Sequence, residues 1–86
     1  MDDQAPAARI LDLGTGSGCL LLTCLAELPQ ASGVGIDISA EALEMAAMNA
    51  SQHGLAARTM FYQQDFAEDL TAHGQFDLIL SNPPYI

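Results

Sequence analysis

Asn82-Pro83-Pro84-Tyr85 brings an amide side chain, two prolines and a phenol together near the end of the 86-residue sequence. The prolines leave positions 83 and 84 without N–H donors and hold the backbone extended, so the Pro83 carbonyl and the Asn82 side-chain oxygen can converge as acceptors. Tyr85 can then stack on a planar group held beside them. Such an arrangement suits a flat NH₂ group, because both hydrogens are satisfied while the nitrogen is left facing a reaction partner. Taken alone, the tetrapeptide is more simply a Pro-Pro turn that ends a strand; its meaning depends on the rest of the chain.

The second feature is Asp12-Leu13-Gly14-Thr15-Gly16-Ser17-Gly18, with glycines at alternate positions. Glycines let a ligand approach the backbone closely, and a following helix would present unpaired N–H groups to it. The pattern is G-x-G-x-G, and Cys19 stands where the dinucleotide fingerprint needs its third glycine. An acid about 20 positions beyond such a loop, at the tip of the next strand, can accept from both hydroxyls of a ribose, and Asp37 stands there. Ser39 is the better helix cap, which leaves Asp37 free for a ligand. Asp65 and Phe66 follow the third expected strand; a carboxylate can accept from an exocyclic amine while a ring stacks on a base. In isolation that pair reads equally well as a helix-start Asp and a core Phe, and Glu68 and Asp69 are read as solvated.

Other reactive side chains carry less. His53 and His73 are read as surface residues with no partner at ligand or triad spacing. Ser17 is no nucleophile elbow, because Thr15 and Cys19 stand where that motif needs glycines. Cys19 and Cys24 fit neither a zinc site nor a disulfide framework and are read as buried thiols in a reducing cytosol. Met45, Met48 and Met60 are read as packing residues. No metal is expected.

The elements that must position these groups follow from periodicity. Ala8 to Leu13 reads as a strand, and Cys19 to Leu28 as a helix with Leu21, Leu25 and Leu28 on one face, stopped by Pro29. Gly33 to Ile38 reads as a second strand. A helix capped by Ser39 follows, with Glu41 favourable against its dipole, Leu43, Ala47 and Ala50 as its apolar stripe, and Gly54 as a left-handed stop. Thr59 to Gln64 and Phe76 to Leu80 read as strands joined by an irregular acidic connection, Asp65 to Gln75. Alternating strands and helices imply an α/β fold with a parallel sheet, and right-handed crossovers put both helices on one face. The expectation is a Rossmann-like doubly wound sheet of order 3-2-1-4, with the ligand crevice at the strand C-termini and only the acidic connection over the opposite face.

Charge narrows the partners. Eleven acidic residues face two basic ones, Arg9 and Arg58, for a formal charge of −9. Binding to phosphate backbones rests on Lys and Arg, so this segment supplies no nucleic-acid footprint, and it is no basic membrane-surface helix. The absence of Lys removes the P-loop lysine and Schiff-base chemistry. Neither a signal peptide nor a membrane span is read in the sequence, and a cytoplasmic location is expected.

Together, Asp12 to Gly18, Asp37, Asp65-Phe66 and Asn82 to Tyr85 resemble the S-adenosylmethionine-dependent class I methyltransferases. Phe76-Asp-Leu-Ile-Leu-Ser-Asn-Pro-Pro-Tyr-Ile86 is similar to the HemK-like protein-(glutamine-N5) methyltransferases, which modify the glutamine of the Gly-Gly-Gln motif in peptide chain release factors. The resemblance runs from about Ile10 to Ile86. It implies S-adenosyl-L-methionine as cofactor, with Asp12, Gly14, Thr15, Gly16 and Gly18 receiving its methionine part, Asp37 the ribose, and Asp65 and Phe66 the adenine. It implies that Asn82, Pro83, Pro84 and Tyr85 bind the substrate amide of a release factor. Asn82, Pro83 and Tyr85 would then assist in-line attack of the amide nitrogen on the methyl group, with no covalent enzyme intermediate. The family commonly has Trp where Phe66 stands. Its members carry a helical substrate-recognition domain before this segment and further strands after it, so residues 1–86 are expected to be a partial catalytic domain, inactive in isolation. An adenine-N6 methyltransferase of DNA or RNA shares the Asn-Pro-Pro-aromatic device and is the alternative; a non-catalytic adenosyl-binding or interaction fragment is the third reading.

Overall fold

The strands share one direction and one edge. The computed structural model describes residues 7–65 and 73–81. In chain order these form β1 (Arg9–Leu13), α1 (Cys19–Glu27), β2 (Ser32–Asp37), α2 (Ala40–Gln52), a short 3-10 turn (Ala56–Arg58), β3 (Thr59–Gln63) and β4 (Leu78–Ser81). The sheet is parallel, with order β3-β2-β1-β4. Leu13 is in register with Ile36 on one side and Ser81 on the other, and Asp37 with Gln63. The C-terminal ends of all the strands therefore meet along one rim, where an open α/β sheet holds its ligand.

Alternation along β1 divides the core. Ile10 turns to the helix face and packs with Leu21, Leu22 and Leu25 of α1, Ala50 of α2, and Leu55. Its neighbour Leu11 turns the other way, against Val34 and Ile36. Both long helices thus lie on one face, as right-handed crossovers require. Gly33 lets α1 settle onto the sheet, because a Cβ there would stand 2.7 Å from Leu21 Cδ1. Arg58 ties the end of α1 to the start of β2: its guanidinium donates to the carbonyls of Leu25, Leu28 and Ala31 at 2.8–3.0 Å. Ser39 caps α2 by accepting from the Ala42 N–H at 3.2 Å, and Glu41 lies in the first turn. Gly54 takes the left-handed conformation just beyond the helix, with φ 71°.

Among the described residues the opposite face is thinly covered. Leu11, Val34 and Ile36 are buried there, whereas Met60 and Ile79 are 56% and 58% exposed. Part of the connection to β4 lies outside the described residues; what is described is fastened to the start of β1. Arg9 N–H donates to Asp77 Oδ2 and Asp77 N–H to the Arg9 carbonyl, both at 2.8 Å. The Arg9 guanidinium donates to the Gln75 and His73 carbonyls and lies 4.6 Å from the Phe76 ring centre, a cation–π arrangement. Among the described residues no helix is long and apolar enough to cross a membrane.

Several local expectations are corrected. Leu28 is exposed, because α1 ends at Glu27 and Leu28 has left helical dihedrals. The buried stripe of α2 is Leu43, Ala46 and Ala50, one residue off the expected Ala47, which faces solvent. Met45 and Met48 lie on the outer side of α2 and, like Met60, are exposed rather than packed. Cys19 is exposed because α1 begins at it, and Cys24 is half-buried. His73 is half-buried, with Nε2 2.7 Å from Gln64 Oε1 and its ring 4.6 Å from that of Tyr62. The third strand stops at Gln63, and β4 starts at Leu78, after the turn that Arg9 holds.

Candidate cofactor site

The glycine loop leaves β1 and folds over the end of β2. Gly14 and Thr15 both donate their backbone N–H to the Ile36 carbonyl, at 2.8 and 3.0 Å. The bare backbone of Gly35 makes room: a Cβ there would lie 2.9 Å from Thr15 Oγ1 and 2.7 Å from Phe61 Cδ1. Thr15 Oγ1 in turn donates to Asp12 Oδ2 at 2.9 Å. Gly14, Gly16 and Gly18 all have left-handed dihedrals, with φ 74°, 57° and 80°, which L-residues with a Cβ rarely adopt.

Asp37 joins this loop rather than standing apart from it. Its Oδ2 accepts from the Gly16 N–H at 3.0 Å, and its Oδ1 from the Ser39 N–H at 2.9 Å. Each carboxylate oxygen has a further lone pair, so a half-buried Asp37 retains acceptor capacity for a ligand. From behind, Asn49 Nδ2 donates to the Ser17 carbonyl at 2.9 Å. Gly18 is the N-cap of α1 and supplies no side-chain acceptor, and no acid occurs in the first turn; the amides that open α1 are available to an anionic group.

Asp12 dominates the electrostatics. It is 1% exposed, and Oδ1 has no hydrogen-bond partner among the described residues. Burial pushes its carboxyl above the ordinary value of 3.8; the Thr15 hydrogen bond opposes this and the nearby Asp37 charge adds to it. A buried carboxylate oxygen without a partner is costly and leaves acceptor capacity that a hydrogen-bond donor would satisfy.

Beyond Asp37, the ends of β2 and β3 form a shallow depression of about 290 Å³ lined by Ile38, Gln63, Gln64 and Asp65. Gln63 Nε2 donates to the Ile38 carbonyl at 3.1 Å, and Ile38 itself is 66% exposed at the rim. A larger depression, about 720 Å³, lies between α1 and α2 and is lined by Cys19, Asn49, His53 and Arg58 among others; the Arg58 guanidinium is already occupied by backbone carbonyls.

Of the expected site residues, Asp12, Gly14, Thr15, Gly16, Gly18 and Asp37 are brought into one hydrogen-bonded cluster, and Asp65 lines the adjoining depression. Phe66, Asn82, Pro83, Pro84 and Tyr85 lie outside the described residues. Gly35, Ile38, Gln63 and Asn49 belong to the neighbourhood and were not singled out from sequence. The signal for Asn49 was available: it is the polar residue flanking the Ala46–Ala50 stripe of α2.

A parallel sheet of order 3-2-1-4, a left-handed glycine loop at the first crossover and an acid at the tip of the second strand define a ligand crevice of the Rossmann-like class. The chain belongs to the methyltransferase small domain family, which matches residues 1–86. It is similar to the release factor glutamine methyltransferase of Agrobacterium fabrum, at 54% identity over 80 residues, covering 93% of this chain and 27% of that protein. The corresponding Rhodospirillum rubrum protein is 55% identical over 78 residues, 91% of this chain and 23% of that one. The chain thus spans about a quarter of the length of these relatives. Among solved structures it resembles a SAM-dependent methyltransferase from Geobacter sulfurreducens in complex with S-adenosyl-L-homocysteine, with a TM-score of 0.64 and 38% identity over 70% of this chain and 24% of that one. An RNA methyltransferase from Salinibacter ruber, also in complex with S-adenosyl-L-homocysteine, has a TM-score of 0.76 at 28% identity, covering 86% of this chain and 46% of that one.

Proposed function

We propose that the protein containing this chain transfers a methyl group from S-adenosyl-L-methionine to the side-chain amide of a glutamine, that of the Gly-Gly-Gln motif in a peptide chain release factor. The observation that carries the cofactor half of this reading is the cluster joining Asp12, the glycine loop and Asp37. The unmatched Asp12 Oδ1 suits the cofactor's ammonium, and the opening amides of α1 suit its carboxylate. Asp37 suits the ribose hydroxyls, and the depression at Ile38, Gln63 and Asp65 suits the adenine, with Phe66 as a further stacking partner by sequence. The cofactor supplies an electrophilic methyl group on a sulfonium.

β4 ends at Ser81, level with Leu13, and the next residues in sequence are Asn82 to Tyr85. In this reading the Asn82 side-chain oxygen and the Pro83 carbonyl accept both amide hydrogens, Pro84 keeps the segment extended, and Tyr85 packs on the amide plane. Two acceptors on those hydrogens favour the pyramidal nitrogen that can attack. The C–N bond forms as the S–C bond breaks, and the surplus amide proton leaves to solvent. The release factor is supported by the named relatives at 54% and 55% identity, and a cytoplasmic location is consistent with such a substrate.

The likeness to an RNA methyltransferase favours a nucleic-acid substrate as a second reading, and the Asn-Pro-Pro-Tyr sequence makes adenine-N6 transfer its form. The charge of −9 weighs against it. Arg9 and Arg58, the chain's basic residues, both spend their guanidinium groups on backbone carbonyls. The deciding experiment offers the full-length protein S-adenosylmethionine with a release factor and, separately, with adenine-containing RNA and DNA, and locates the methyl group by mass spectrometry. Methylated glutamine is expected; methylated adenine with unmodified release factor would reverse the assignment.

A further inference from the structure

We propose that Asn49 is a positioning residue that locks the cofactor loop from the α2 side, through the peptide linking Ser17 to Gly18. The inference rests on the reading of that loop as the cofactor cradle. The front of the loop is held by sheet residues: Ile36 through its carbonyl, Asp12 through Thr15, and Asp37 through Gly16. Ser17 and Gly18 lie beyond those anchors, at the point where the chain turns into α1.

Gly18 takes φ 80° there, and glycine populates positive and negative φ about equally, so the backbone does not itself fix how this peptide faces. Two hydrogen bonds do. The Gly18 N–H donates to the Thr15 carbonyl at 2.8 Å, and the other end of the same peptide, the Ser17 carbonyl, receives Asn49 Nδ2 at 2.9 Å. The first bond is internal to the loop and moves with it. The second ties the loop to a helix 32 residues away in sequence.

That helix is a fixed reference. Leu43, Ala46 and Ala50 are buried, and Ala46 lies directly under the loop, with its Cβ 3.1 Å from where a side chain at Gly18 would begin. A small residue at 46 and no side chain at 18 let α2 come close enough for the short Asn49 amide to reach. Asn is a weaker helix former than Ala, and the half-buried Asn49 belongs to neither apolar cluster; the hydrogen bond is the physical reason for it. By orienting the Ser17–Gly18 peptide, Asn49 sets the direction in which the opening amides of α1 point, and so the geometry offered to the cofactor's carboxylate.

The test compares Asn49→Ala, the shape-matched Asn49→Asp, which replaces the donor by an acceptor, and Gln52→Ala, an exposed control on the same helix. In the full-length protein, amide hydrogen exchange is read by NMR without cofactor, and S-adenosylhomocysteine binding by calorimetry. In Asn49→Ala the Gly18 amide should exchange about five- to tenfold faster while the interior amides of α2 keep their protection, and the Kd should rise by a similar factor. The KM for the cofactor should rise while that for the release factor stays. Asn49→Asp should be at least as impaired at neutral pH, and Gln52→Ala unchanged. Unaltered Gly18 exchange, or equal acceleration throughout α2, would overturn the proposal, the latter by revealing a merely structural role. A wild-type protein that binds no S-adenosylhomocysteine would instead overturn the cofactor reading, and the exchange data would still decide whether Asn49 holds the loop.

Discussion

The backbone N–H of Gly16 donates to the carboxylate of Asp37 at 3.0 Å, across 21 residues of sequence. This bond joins the glycine loop after β1 to the acid that closes β2, so the parts of the crevice that would hold the two ends of an adenosyl ligand are tied directly to each other. Asp37 is therefore a structural anchor of the loop as well as the ligand acceptor of the proposed function.

Replacing Asp37 by Ala removes charge-assisted hydrogen bonds, each of about 1.5–3 kcal/mol, to the ligand and to the loop. S-adenosylhomocysteine binding should weaken by at least tenfold. Because Asp37 is half-buried and at the sheet rim, the melting transition should remain cooperative. Calorimetry on a folded variant checks this, and wild-type affinity would remove Asp37 from the site.

Asp12 should impose opposite pH dependences on stability and on binding. Its carboxyl is raised above 3.8 mainly by burial, so the folded state holds this proton more tightly than the unfolded chain. The stability it contributes is fully present below the unfolded value and is lost as pH rises to the folded one, then stays level. Asp12→Asn removes that loss, and its stability relative to wild type should climb across this window in urea melts. Cofactor affinity of the wild type should increase over the same window, since the ionised carboxylate is the form that receives an ammonium. A stability difference independent of pH would contradict the burial argument.

Gly35 and Gly54 should respond differently to Ala. At position 35 the new Cβ meets Phe61 at 2.7 Å and Thr15 Oγ1 at 2.9 Å, so overpacking of about 1–3 kcal/mol is expected. Displacing Thr15 from Asp12 should also weaken cofactor binding. At position 54 the φ is 71° and no atom lies within 4 Å of a Cβ, so the cost is left-handed strain alone, about 1–2 kcal/mol. Binding should be unchanged there. Thermal melts paired with calorimetry separate the cases, and equal binding losses would mean that Gly35 does not shape the loop.

Local patterns in the sequence determined the parallel order, the loop and its partner acid. Alternation placed Ile10 and Leu11 on opposite faces, Ser39 and Gly54 bounded α2, right-handed crossovers put both helices on one face, and the switch point of a doubly wound sheet gave the order β3-β2-β1-β4. These are properties of a few neighbouring residues and the chirality of the chain, and need no knowledge of distance between elements. Only the tertiary structure decided what depends on that distance. Gly33 and Gly35 are gaps filled by Leu21, Phe61 and Thr15; Arg58 is spent on carbonyls of the α1–β2 turn; Asn49 reaches Ser17 because Ala46 lets α2 approach. The exposure of Met45, Met48 and Cys19 and the partial burial of His73 belong with them. Hydrophobicity sets what a residue gains by burial, while the separation of packed elements sets whether a given face has anything to be buried against.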